Sequence, residues 1–205
     1  MPTIPAMLLA FDTSSAACTA ALFDGAGTCV GRADELIGRG HSERLVPMIA
    51  ELLDGRRAEQ VLVGVGPGSF TGIRVAIAAA HGLAIGWGAE LRGMSSLALL
   101  ASTESSDVAA AIVGGHGELF VQQFDSAQPV SELRNLVPAE AARFATARLV
   151  IGSGARQLVD ARGWGEAREA WPSASNAFRL PKAIRSLPPK PVYARAPDAR
   201  VKEAA

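Results

Sequence analysis

The chain has 205 residues, 49% of them hydrophobic, enough to bury a sizeable core and to exclude a disordered segment. Twenty basic residues balance twenty acidic ones, so no net field draws the protein to nucleic acid or to an anionic membrane, and any contact with RNA is expected to be indirect. Met7 to Phe11 is too short for a signal-peptide core and polar residues interrupt the apolar stretch from Val75 to Leu91, which predicts a soluble, cytoplasmic protein whose two cysteines, Cys18 and Cys29, are buried thiols.

Met7 to Phe11 reads as a buried strand running into Asp12-Thr13-Ser14-Ser15. Cys18 to Phe23 and Thr28 to Ile37 predict a hairpin about Asp24-Gly25-Ala26-Gly27. His41-Ser42-Glu43 then offers an N-cap serine, after which Leu45, Met48, Ile49, Leu52 and Leu53 share one helical face up to Asp54-Gly55. Pro47 removes a backbone donor, so the regular helix is expected to start a turn after its cap.

Val61 to Val65 predicts a parallel strand, and Gly64-Val65-Gly66-Pro67-Gly68-Ser69-Phe70-Thr71-Gly72-Ile73-Arg74 joins it to a helix from Thr71 to about Trp87. Gly66, Pro67 and Gly68 supply the unusual backbone angles of a tight turn, and Ser69 or Thr71 can cap the helix. Something is expected to approach that turn closely. Strand, glycine turn and helix N-terminus in this order present N–H groups suited to an anion. No lysine follows the last glycine and the spacing misses the dinucleotide fingerprint, so the loop is neither phosphate motif of known mechanics. Asp12, at a strand end, is the best-placed acid, the alternative being an Asp turn that bonds its own backbone.

Between Thr71 and Trp87 only Arg74 and His81 are ionisable, while Gly72, Ala76, Ala78, Ala79, Ala80, Gly82, Ala84 and Gly86 would let another helix approach. Such a helix wants burial on most sides, either as an internal core helix or at a subunit interface. A short helix from Ser95 to Ala101 follows, and the polar break Ser102 to Asp107 marks a domain boundary. Val108 to Val113, a turn at Gly114 to Gly117 and a return strand Leu119 to Phe124 open the second half, where helices Pro138 to Phe144 and Ala155 to Arg162 flank a strand at Leu149 to Ile151. Six prolines from Pro172 to Pro197 predict an extended tail. The expected organisation is a first lobe at residues 1–101, a smaller lobe at 102–184 and a tail at 185–205, with no legible internal repeat. His41, His81 and His116 lack metal-ligand spacing, and Gly66 to Phe70 is not a nucleophile elbow, so neither a metal site nor a catalytic residue is predicted.

Four segments, in order, carry a resemblance: Leu9-Ala10-Phe11-Asp12-Thr13-Ser14, His41-Ser42-Glu43-Arg44-Leu45-Val46-Pro47, Gly66-Pro67-Gly68-Ser69-Phe70-Thr71-Gly72-Ile73-Arg74 and Pro191-Val192-Tyr193-Ala194-Arg195. They resemble the signatures of the TsaB family, formerly YeaZ. The match is close from Met7 to about Ala101, thin to Lys190, and returns at the C-terminal motif. The resemblance implies an α/β fold of the actin, sugar-kinase and ribonuclease H-like type, two lobes each on a mixed sheet, with the second lobe reduced. It implies a part in placing threonylcarbamoyl on the adenosine beside the anticodon of tRNAs that read codons beginning with A. In that family the chain would be a non-catalytic scaffold that binds the catalytic relative TsaD, helps recruit the ATPase TsaE, and forms a homodimer when alone. It would touch tRNA only indirectly and no membrane, with no cofactor of its own and ATP or ADP at the interface with TsaD.

Family members pair through two helices, which makes Leu45, Met48, Ile49, Leu52, Arg74, Ala78, His81 and Ile85 the implied partner residues and favours the interface reading of the apolar helix. The histidine pair that holds metal in TsaD aligns with Ser95 and Leu99, so the resemblance implies a lost metal site. By analogy with the shared fold, Asp12, Thr13, Gly66, Gly68 and Ser69 are the residues that would meet a nucleotide. The alternative reading is an ATP-binding phosphotransferase of the sugar-kinase fold; a peptidase is a further one, against which the absent nucleophile–base pair argues. Many relatives carry Asp-Ala-Arg where this chain has Val113-Gly114-Gly115. Tyr193 and Arg195 are expected to dock on the first lobe.

Overall fold

The buried strand β1 (Leu8–Asp12) is followed by β2 (Ala17–Phe23), β3 (Cys29–Leu36), α1 (His41–Leu53), β4 (Gln60–Gly64), α2 (Phe70–Trp87) and β5 (Glu90–Met94). Burial places β1 centrally: it pairs antiparallel with β2 and parallel with β4, giving a sheet of order β3-β2-β1-β4-β5. The parallel step from β4 to β5 needs a crossover, which α2 supplies. The computed structural model describes residues 7–194.

After α3 (Ser96–Ala101) the second half builds β6 (Val108–Val113), β7 (Leu119–Asp125), β8 (Gln128–Pro129), β9 (Arg134–Leu136), α4 (Pro138–Phe144), β10 (Leu149–Ile151), α5 (Ala155–Arg162) and β11 (Glu166–Arg168). Its sheet runs β11-β10-β6-β7-β8, with β9 also on β7. The first strand is again central, antiparallel to the next and parallel to the strand that precedes a crossover helix. The two halves therefore repeat one topology, which the sequence hides because the 18-residue α2 corresponds to the 8-residue α5. This is the two-lobed α/β architecture, each lobe on a mixed sheet, that the sequence resemblance implied.

Three apolar clusters stack through the molecule. One lies under α1 and α2, one under α4 and α5, and the third joins the two sheets through α3. All six residues of α3 are buried, since a helix apolar all round belongs in a core.

Several expectations need correcting. Helix α1 begins at His41 with Gly40, at φ 84°, in the cap position; Ser42 is not the cap, and Pro47 sits inside the helix on its exposed side, where water can take the freed carbonyl. Cys18 is buried but Cys29 is exposed on the edge strand β3. The proline-rich stretch is not simply extended: 3-10 turns span Ala174–Arg179 and Lys182–Arg185. It returns to the first lobe at Ser173, well before residue 185. There Ser173 Oγ donates to Asp34 at 2.8 Å, the Ala174 N–H donates to Thr19 Oγ1 at 2.8 Å, and Phe178 packs on Phe23 with ring centroids 4.8 Å apart.

Candidate functional site

The glycine turn is closely approached, and what approaches it is the protein's own backbone. A Cβ on Gly68 would stand 2.1 Å from the Ser14 carbonyl oxygen; one on Gly72 would stand within 2 Å of the Thr13 carbonyl oxygen, and one on Gly64 within 2 Å of the Asp12 carboxylate. Hydrogen bonds close the gap: Ser69 N–H donates to the Ser14 carbonyl at 2.7 Å and Thr13 Oγ1 donates to the Gly72 carbonyl at 2.7 Å. Ser69 is the α2 cap, its Oγ accepting from Gly72 N–H at 3.2 Å. The Gly66-Pro67 bond is cis.

Asp12 is fully buried in the middle of this seam. Its Oδ1 accepts from the Ser14 N–H and Ser14 Oγ, both at 2.7 Å, and its Oδ2 accepts from Ser96 Oγ. Ser96 Oγ in turn accepts from Gly66 N–H at 3.2 Å. The carboxylate thus ties the end of β1, the glycine turn and the start of α3 together. Sequence reasoning missed Ser96, since nothing local shows that α3 brings a hydroxyl back to β1.

The C-terminal segment lies along the other side of the turn. Leu187 and Gly93 exchange two backbone hydrogen bonds of 2.7 and 2.9 Å, and Val192 N–H donates to the Val65 carbonyl at 2.8 Å. Arg74 Nε donates to Tyr193 Oη at 3.3 Å, the Tyr193 and Phe70 rings lie 5.4 Å apart, and the Arg74 guanidinium sits 3.6 Å over the Phe70 ring. Tyr193 is therefore on the first lobe, whereas Arg195 lies outside the described residues.

Between the lobes is a cleft of about 1320 Å³ bounded by Ser14, Gly68, Arg39, Gly114, Glu169 and Tyr193, among others. Its volume would admit a nucleotide, and Gly68 and Ser69 line it, but several polar groups of the five candidate residues are already bonded within the protein. Both Asp12 oxygens and the Thr13 hydroxyl are used internally, the Ser69 N–H is taken by Ser14, Gly66 faces the Ile73 side chain and Gly68 the Ser14 backbone. Across the cleft, β6 ends at Val113 and runs into Gly114-Gly115, so the acid on that side is Glu169. Among the described residues no group of three or more His, Cys, Asp or Glu could hold a metal. Ser95 caps α3 by accepting from Ala98 N–H, and Leu99 is buried in the central core.

The implied partner residues divide sharply. Leu45, Met48 and Ile49 fill the first-lobe core and are unavailable to a partner, a correction that follows from α1 turning its apolar stripe onto the sheet. Leu52 is half-buried with its Cδ1 against Gly31. Arg74, Ala78, His81 and Ile85 are all exposed, Ile85 at 83%, and follow one another up a single face of α2. The opposite face, Ile73, Ala76 and Ala80, packs onto the lobe. By length and composition α2 is apolar enough to cross a bilayer, and only 28% of it is buried in the protein.

On α1, Arg44 gathers two carboxylates. Arg44 donates to both oxygens of Glu35 on β3, at 2.8 and 2.6 Å, and to both oxygens of Glu51, at 2.9 and 3.1 Å. These bonds hold both glutamates below the usual carboxylate range and raise Arg44 further. Burial, with Glu35 adding to it, pushes the Cys18 thiol up to about 11.

Comparison with known proteins gives consistent matches. The model of the family described as TsaD, tRNA N6-adenosine threonylcarbamoyltransferase, matches residues 31–157. Two proteins named tRNA threonylcarbamoyladenosine biosynthesis protein TsaB are similar over 127 residues. That of Haemophilus influenzae is 36% identical across 57% of this chain and 52% of its own length; that of Escherichia coli is 35% identical across 57% and 54%. The chain thus spans about half the length of the curated relatives it matches. Among solved structures, YeaZ from Pseudomonas aeruginosa is 28% identical with a TM-score of 0.76, covering 92% of this chain and 99% of that one. The ethanolamine utilization protein EutJ from Carboxydothermus hydrogenoformans, at 14% identity and a TM-score of 0.51 over 91% and 92% of the two chains, shares the fold alone.

Proposed function

Because the chain belongs to the TsaB, or YeaZ, branch of the TsaD family, we propose that it acts in the cytoplasm as a non-catalytic scaffold in the threonylcarbamoyl modification of tRNA adenosine. It binds the transferase subunit through its first lobe, and the assembled pair recruits the ATPase TsaE. The observation that carries this reading is the outward face of α2, where Ala78 and Ile85 are exposed although the fold does not need an apolar surface there. The internally satisfied seam around Asp12 supports a chain that does no chemistry of its own. ATP or ADP belongs at the joint with the transferase subunit and not on this chain's glycine turn. A homodimer forms when the partner is absent, because the same face still seeks cover, and tRNA reaches the chain only through the complex.

Light scattering after size-exclusion chromatography, on the chain alone and mixed with the transferase subunit from the same cell, tests the proposal. A one-to-one species that Ala78→Glu abolishes without changing the melting temperature is the expected result; independent elution at all salt concentrations would sink it. Ala80 is the wrong position for this test, because it is fully buried and its replacement reports on folding.

A further inference from the structure

Phe70, Arg74 and Tyr193 form an organised cluster at the N-terminal end of the exposed α2 face. Phe70 is 53% exposed and Tyr193 50%, large values for aromatic side chains. The Phe70 ring lies under the Arg74 guanidinium at 3.6 Å, and the Tyr193 hydroxyl accepts from its Nε. That uses one of the five N–H donors and one planar face of the group, leaving the other four donors without a carboxylate within salt-bridge distance among the described residues. An arginine stacked in this way has already lost most of its rotamer freedom, so an incoming carboxylate gains the bond at little further ordering cost.

We propose that Arg74 is the specificity-determining anchor of the α2 face and receives a carboxylate from the helix of the protein that docks there. Tyr193 acts through it as the positioning residue. This rests on the scaffold reading above and says which residues discriminate the partner. Two features of the molecule favour an acidic side chain on a protein over other anions. Only Arg74 and His81 are basic along α2, with Ala78 between them and Ile85 beyond, which is too sparse for a nucleic-acid backbone but fits a mainly apolar helix with one acid. Helix α2 itself contains no Asp or Glu, so a symmetric α2-to-α2 contact with a second copy would meet Arg74 with no acid of that helix. The tyrosine arrives from a segment 119 residues away, which makes the C-terminal strap part of the docking face as well as of the fold.

The test is a titration of the transferase subunit into the intact chain and its variants, with the melting temperature of each measured alongside. Arg74→Ala is expected to weaken binding at least tenfold, and Arg74→Lys should recover little, because the charge returns without the stack or the planar fork. Tyr193→Phe should lose severalfold while keeping the fold, and the salt dependence of affinity should flatten in Arg74→Ala. Affinity unchanged in Arg74→Ala, alongside loss in Ala78→Glu, would overturn the anchor and leave the scaffold standing. Full recovery in Arg74→Lys would overturn the stacked-fork account, and equal weakening of self-association by Arg74→Ala would assign the face to a second copy instead. A wild-type chain that fails to bind the subunit at all would overturn the scaffold and the anchor together.

Discussion

The two lobes perform the same topological task with different surfaces. In both, a strand passes through a glycine turn into a crossover helix that lies on the backbone of the lobe's first strand. A Cβ on Gly68 would meet the Ser14 carbonyl at 2.1 Å, and one on Gly152, at φ 117°, would meet the Ala111 carbonyl at 2.2 Å. Ser69 caps α2, while Ser153 Oγ accepts from the Val113 N–H. Glycine at this junction is therefore a steric requirement of the fold in both lobes. What differs is the outer face of the crossover helix: α5 shows Arg156, Gln157 and Asp160 to solvent, whereas α2 shows Ala78, Gly82, Ile85 and Gly86. The fold accepts a polar helix there, so the apolar face is not a demand of the fold, which favours the proposed docking role.

The largest effect should come from adding a methyl at either junction. Gly72→Ala drives Cβ into the Thr13 carbonyl and Gly152→Ala into that of Ala111, and neither backbone can yield. Each is expected to cost about 3 kcal/mol or more, read as a lower denaturant midpoint; a mild loss in one lobe only would break the equivalence of the two turns. Next in size is Asp12→Asn, which has no counterpart in the second lobe. It sets an amide against donors from Ser14 and Ser96, at a cost of about 1–3 kcal/mol. An unchanged midpoint would mean that Asp12 is available to a ligand after all.

Truncation after Leu187 separates the lobes in another way, since the strap touches the first lobe's turn. Losing the Val192–Val65 bond and the Tyr193–Phe70 pair, about 2 kcal/mol together, should lower the melting temperature by about 4–8 °C. No change would place the strap's role wholly in docking. Gly82→Ala and Gly86→Ala act in the opposite sense. Both positions are open and helical, so each should stabilise the isolated chain by about 0.8–1 kcal/mol. If those glycines are kept for close approach by a partner helix, affinity for the transferase subunit falls as stability rises; a gain in both would remove that reason for them.

How much of this was visible in the sequence follows from the range of the contacts. The longer strands and the helices depend on local periodicity and turn residues, and were legible; β5, β8, β9 and β11, short or broken by charged residues, were not. The repeated topology was not, because β8 and β9 share the edge that β3 occupies alone and α5 is less than half the length of α2. The apolar face of α1 was legible as a face but not as to its direction: Leu45 and Met48 look alike whether a sheet or a partner covers them. The glycine turn announced a close approach without naming it, since Thr13 and Ser14 are more than fifty residues away in the chain. Phe70 was legible only as part of a motif, because its stack needs both a helix turn and the returning strap.

The smallest expected effect contrasts how each lobe uses an arginine to fasten a helix. In the first lobe Arg44 binds the carboxylates of Glu35 and Glu51; in the second, Arg162 donates to the carbonyls of Ala145, Ala147, Arg148 and Trp164. The folded state holds both glutamates below their ordinary value of 4.5, so on acidification the unfolded chain binds protons first. Their stabilisation is complete above that value and is lost as pH falls through the lowered one. Carbonyls do not titrate, and Arg162, though burial pulls it down, keeps its proton throughout. Arg44→Met should therefore cost stability at neutral pH and flatten the acid limb below about pH 4.5, while Arg162→Met should lower the whole curve without changing its shape. Because the Arg44 cluster is solvent-exposed the difference is small and should shrink further in high salt. An acid limb as steep in Arg44→Met as in the parent would mean that other carboxylates carry the pH dependence of the first lobe.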